Sequence, residues 1–234
     1  MGVDDIRKRL RSLADKDKAT ILQGFFKTGP GHYGEGDIFI GLGVPVLRKL
    51  VKEFESASVY EAFELLKSSI HEERLLALLM LVRSYAAGDD AAKGKIFERY
   101  IANIRFINNW DLVDLSAPKI VGAHLVDKNR KQLYVYARSG DLWKRRIAML
   151  STLTFIRQND FNDTLRISKI LLKDKHDLIH KAVGWMLREL GKRSRNREEQ
   201  FLKQHYRVMP RTMLRYAIEH FPEAKRKKYL KGTM

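Results

Sequence analysis

The chain has no cysteine. That absence excludes a disulfide framework, a cysteine-ligated metal and a thiol nucleophile. Proline is scarce, five in 234 residues, so little interrupts helix formation. No run of 18 apolar residues occurs, which excludes a membrane-spanning helix. The opening MGVDDIRKRLRSLADKDK lacks the apolar centre of a secretory signal, and Gly2 is not followed by the Ser/Thr of a myristoylation motif. The expected address is cytoplasmic, in a bacterium associated with the nucleoid. H-E-x-x-H, an EF-hand loop, G-x-S-x-G and a helix-hairpin-helix pattern are all missing. Seven histidines are scattered, and His176 and His180, four apart, have no third partner to make a metal site. No metal and no organic cofactor is expected.

Negative charge is also in short supply. Asp and Glu number 28 against 45 Lys and Arg, a formal charge of +17. A basic globular chain of this kind suits a polyanionic partner, most often nucleic acid. The excess is concentrated late: residues 181–234 hold 15 Lys/Arg and 5 Asp/Glu. Lys192, Arg193, Arg195 and Arg197 cluster there, and Arg211 and Arg215 lie one turn apart. Such cations suit phosphate contacts, which fix register without reading bases. The terminal KRKKYLKGTM, within 225–234, reads as a basic, fraying tail.

What the sequence has in abundance is helical periodicity. ERLLALLMLVRSY (73–85), WKRRIAMLSTLTFIR (143–157) and HKAVGWMLREL (180–190) each read as a core helix. Gly191 sits where a C-cap would end the third. Asn159, Asp160, Asn162 and Asp163 sit where a turn and an N-cap are wanted. Comparable segments open at His71, Asn109, Asp141, His176 and Met209, at separations of 38, 32, 35 and 33 residues, with room for another helix between most of them. This predicts an all-α fold with 1–234 as a single domain, its helix pairs stacked as an α-α superhelix (solenoid) or gathered in an irregular bundle.

One segment breaks the rhythm. KTGPGHYGEGDIFIGLGVP (27–45) carries six glycines in 19 residues and is not a Walker A loop. Two readings stand side by side. The backbone could order against phosphate, helped by Lys27 and Tyr33, or the segment could be a connector.

The densest polar and aromatic cluster is NNWDLVDLSAP (108–118). Trp110 and Asp114 are four apart and share a helix face, and Asp111 is three from Asp114. A carboxylate beside an indole stabilises a cationic species, by charge and by cation–π attraction. The alternative is an acidic residue favouring the helix dipole beside a core tryptophan. Trp143 and Arg146 are three apart, as are Trp185 and Arg188, with Lys181 one turn before Trp185.

NNWDLVD, the W-x-x-R of WKRR, KAVGWMLRE, MPRTMLRYAIE and YGEGDIFIGLGVP together resemble the AlkD-like family of DNA alkylation repair proteins over roughly residues 20 to 220. The resemblance implies a HEAT-like fold that wraps double-stranded DNA in a basic groove, without membrane contact, as a monomer. It implies a monofunctional glycosylase for cationic N3- and N7-alkylated purines, acting without flipping the base. Asp114 would be the catalytic aspartate, Trp110 and Trp185 the aromatic residues at the lesion, and Arg146 the supporting arginine, with Arg145 adjacent. Arg188 would lie near the backbone beside the lesion. Lys27, Tyr33, Arg145, Lys181, Arg188, Lys192, Arg193, Arg211 and Arg215 are the expected DNA contacts. Some members lack parts of this site, so the competing reading is a non-catalytic HEAT-like protein that binds DNA or RNA structures. A protein-interaction solenoid with acidic partners is a more distant one.

Overall fold

A computed structural model describes residues 2–234. Among them there is no strand, only an isolated bridge between Ile38 and Ile70. The helices gather into two compact units, one ending at Ser116 and the other beginning at Ala117. No linker composition marks that division, which falls inside NNWDLVDLSAP.

The first unit opens with α1 (Val3–Ser12), α2 (Lys16–Phe25), α3 (Val44–Glu53) and α4 (Val59–Leu65). Asp15 caps α2 by accepting from the Lys18 N–H, and Ser58 with Glu61 forms a capping box at α4. Each such cap is worth about 1 kcal/mol. The centre of the unit is α5 (His71–Ala87), buried on every side from His71 to Leu81, with α3, α4, α6 (Asp90–Ala102) and α7 (Trp110–Ser116) packed against it. No residue of α2 is buried, and its Ile21 and Phe25 are 69% and 62% exposed.

The second unit begins with one π-helical turn, Pro118–Gly122, against which α9 (Leu142–Arg157) packs after α8 (Lys131–Ala137). Asp141 caps α9 through the Trp143 and Lys144 N–H groups, and His176 caps α11 (Asp177–Arg193) through Leu178 N–H. Between them lies α10 (Asn162–Leu171); α12 (Arg195–His205), α13 (Arg211–Ala217) and α14 (Glu223–Lys231) complete the chain. The segment starts expected near 71, 109, 141, 176 and 209 are the starts of α5, α7, α9, α11 and α13, with α6, α8, α10 and α12 in the gaps.

Three local expectations are corrected. Gly191 is no C-cap, since α11 runs on to Arg193. A Cβ on Gly191 would strike the Glu198 carboxylate, so glycine is there for close approach. The turn at 159–163 is real, with Asn159 at φ 61, but no side chain caps α10. Asp160 and Asp163 accept instead from Arg130. The C-terminal segment is not a bare tail but carries α14, with Tyr229 1% exposed and edge-on to Tyr206 and Phe221.

Glu198 is buried, and burial pushes its carboxyl up to about 8 despite Arg195. Its folded pKa lies above the unfolded value, so the folded state loses stability as pH rises from about 4.5 towards 8. Glu198→Gln is expected to remove that loss and to be more stable than the wild type by a few kcal/mol, on the order of 1–4, at pH 9, with the gain fading below pH 5. Urea unfolding across pH measures it, and a gain independent of pH would contradict the assignment.

Candidate active site

The site in the first unit is built from α7 and what holds it. Two turns of helix have little stability of their own, so their direction is set by packing. Trp110 and Asp114, both half-buried, occupy one face. The Trp110 ring stacks on Phe26 at 5.1 Å and 12°, and the exposed Phe25 meets it edge-on at 6.0 Å. Phe26 stacks in turn on Phe39, and Phe39 on the His71 ring at 4.4 Å.

Beneath the aromatic layer lies a buried polar network. His71 Nδ1 is 3.1 Å from Asp37 Oδ2, and Nε2 is 2.8 Å from Asp111 Oδ2. Asp37 also accepts from Arg74 Nη2 at 2.6 Å and from Asn109 Nδ2 at 3.0 Å. Asn109 Oδ1 accepts the Trp110 N–H at 2.8 Å, and Asp111 Oδ1 the Leu112 N–H at 2.9 Å. Burial works to raise the Asp37 pKa, but the bonds from His71 and Asn109 and the Arg74 charge outweigh it and hold it low. Burial likewise works to depress His71, yet its bonds to Asp111 and Asp37 outweigh this and raise its pKa. A carboxylate oxygen stands at each ring nitrogen, an arrangement that favours the doubly protonated ring over either neutral tautomer.

The glycine-rich segment has two ends with different fates. The carboxylate of Glu72 accepts from the backbone N–H groups of Ile40, Gly41 and Leu42, the Gly41 bond being 2.8 Å. A protein anion thus fills that N–H concavity, and residues 37–42 act as a connector. Gly41, at φ +87 with its Cα against the Asp15 carbonyl, leaves no room for a side chain. At the other end Lys27 is exposed and Tyr33 half-buried.

In the second unit, Trp185 is half-buried and donates to Glu189 Oε1 at 3.2 Å. Arg146 is 4% exposed and donates to the Leu178 carbonyl, tying α9 to the start of α11. Arg145 donates to Asp174 and to the Ser139 and Gly140 carbonyls. Arg188 pairs with Glu219, Lys181 with Asp177 and Lys192 with Glu189. Arg211 donates to the Leu230 carbonyl. Arg193 and Arg215 are exposed. The buried network of Asp37, His71, Arg74 and Asn109 was missed by sequence reasoning. Its readable signal was HEER, four ionisable residues heading a helix whose apolar side is nearly continuous, so that some had to be buried together.

The seven-residue α7 thus offers an indole and a carboxylate on one face, in a helical chain with a formal charge of +17. The family model described as DNA alkylation repair enzyme matches residues 6–221, and the chain belongs to that family. No curated protein sequence matches it. Among solved structures it is similar to one described as a predicted DNA alkylation repair enzyme from Enterococcus faecalis, at TM-score 0.70 and 15% identity, over 90% of this chain and 97% of that one. That likeness is one of fold. Among the described residues no helix is long and apolar enough to cross a membrane, and no group of acidic and histidine side chains is arranged to hold a metal ion.

Proposed function

We propose that the chain is a monofunctional DNA glycosylase that hydrolyses the N-glycosidic bond of cationic alkylated purines, such as 3-methyladenine and 7-methylguanine, in duplex DNA. The observation that carries this reading is the half-buried Asp114 carboxylate one helical turn from Trp110, on a surface where binding DNA alone would favour a cation. The alkylated purine departs with the electron pair of the C–N bond, which neutralises its charge. Positive charge is left on the deoxyribose. Asp114 stabilises that charge and orients the water whose hydroxyl bonds to the sugar carbon, and a proton is released. The Trp110 face offers cation–π attraction to the lesioned nucleotide. Exposed Phe25, edge-on to Trp110, extends the same apolar surface.

For Trp185 the proposed role is a second aromatic contact with the lesion, resting on the family resemblance. Arg146, which donates to the Leu178 carbonyl, is the proposed supporting arginine, likewise on the family resemblance. Lys27, Lys192, Arg193, Arg211 and Arg215, all exposed, are the proposed phosphate contacts, with Lys27 on the first unit and the others on the second.

Incubation with duplex DNA containing 7-methylguanine, followed by chromatography of the released base, tests the activity. Release no faster than spontaneous depurination would overturn it. Duplex affinity is expected to fall log-linearly with salt, with a slope of about −0.9 for each phosphate neutralised. A flat salt profile would count against backbone binding.

A further inference from the structure

The Trp110–Asp114 face sits on a helix too short to set its own direction. Three contacts fix the first turn of that helix. Asp111 reaches His71, Asn109 reaches Asp37, and the Trp110 ring lies on Phe26. His71 stands where these meet: one ring nitrogen holds Asp111 at the head of α7, and the other holds Asp37 in the middle of the glycine-rich segment. Asp37 and Asp111 lie 34 and 40 residues from His71 in sequence, so the ring closes two long loops at once.

We propose that His71 is a positioning residue, a buried cationic bridge between Asp37 and Asp111 that sets the orientation of Trp110 and Asp114. This rests on the glycosylase reading for its consequence, though the bridge itself does not. His71 is 1% exposed and touches no substrate; it acts through α7. The charges around it balance, with Asp37 and Asp111 against His71 and Arg74, so the network is stable only when complete. A neutral imidazole could donate to only one of its two carboxylates, and the other nitrogen lone pair would face an oxygen. The raised His71 pKa agrees with this geometry.

The test uses the full chain. Nitrogen-15 NMR of the histidine rings is expected to show both His71 N–H protons at neutral pH, slow to exchange; a neutral ring with one proton would overturn the proposal. His71→Gln leaves two buried carboxylates without their cation and can unfold the chain, so Asp111→Asn carries the functional arm. It is isosteric and keeps the oxygen that accepts the Leu112 N–H. With fluorotryptophan labelling and assignment by Trp110→Phe, Asp111→Asn is expected to move the Trp110 fluorine resonance. The same variant is expected to slow single-turnover base release at least tenfold, with duplex affinity changed less than about twofold, since small displacements of positioned groups are felt in rate. An unmoved resonance, or a rate loss matched by an equal loss of affinity, would overturn the bridge. Absence of base release by the wild type would overturn the glycosylase reading alone, and the ring protons and the Trp110 resonance would still decide the bridge.

Discussion

Asp114→Asn is expected to slow single-turnover release of 7-methylguanine by at least about 100-fold and to leave duplex affinity within about twofold. Asparagine keeps the shape of the side chain and removes only its charge. The charge is what the proposed step needs, because bond breaking leaves positive charge on the sugar at a half-buried site, where a carboxylate acts more strongly than in water. Ground-state binding depends instead on phosphate contacts, and removing one anion from the surface does not weaken those. The measurement is a single-turnover assay with protein in excess, alongside a fluorescence-anisotropy titration of uncleaved duplex. Equal release by variant and wild type would remove Asp114 from the reaction. Asp111→Asn, the same chemical change three residues away, serves as the internal comparison: its effect, transmitted through the orientation of α7, should be smaller.

Gly184→Ala is expected to destabilise the chain by about 2–3 kcal/mol, although alanine inside a helix ordinarily gains about 1 kcal/mol over glycine. A Cβ at 184 would lie 2.5 Å from the Met213 carbonyl oxygen and 2.5 Å from the Tyr216 Cβ. α11 and α13 are therefore held at backbone contact, and an added methyl must push them apart. Neither obstacle is the flexible end of a side chain, so local adjustment cannot absorb the clash. Gly94 in α6 supplies the opposite case, for a Cβ there meets nothing within 4 Å. Gly94→Ala is expected to gain roughly 0.5–1 kcal/mol. Thermal unfolding separates the two by sign, with a fall of roughly 4–12 °C for Gly184→Ala. A rise in melting temperature for Gly184→Ala would mean that the two helices are not so closely packed.

The residues show which parts of this structure a sequence can announce. Periodicity and capping chemistry are local, so the starts of α5, α7, α9, α11 and α13 were readable to within about two residues. Trp110 and Asp114 were readable as a pair because four residues on a helix suffice to bring them together. The partners of that helix were not readable, because Asp37 and Asn109 are 72 residues apart and only tertiary folding joins them. Gly191 shows the same limit from the other side. Glycine near a helix end suits both a C-cap and a close approach, and only the position of Glu198 distinguishes the two. In the C-terminal segment, charge pointed to solvent, but Tyr229 alone was enough to bury one side of α14. Spacing likewise did not announce that Arg145 donates to the carbonyls of Ser139 and Gly140 or Arg146 to that of Leu178.

The carboxylate of Glu72 has a consequence for when entropy is lost. Elsewhere a glycine-rich turn becomes ordered by gripping the anion it recognises, and part of its binding energy goes into that ordering. Here the anion is covalently part of the chain, and residues 40–42 are fixed on Glu72 as soon as α5 is in place. The ordering is thus completed during folding, once per molecule, instead of during each encounter. Ordering residues 40–42 is therefore no part of the cost of any later binding event.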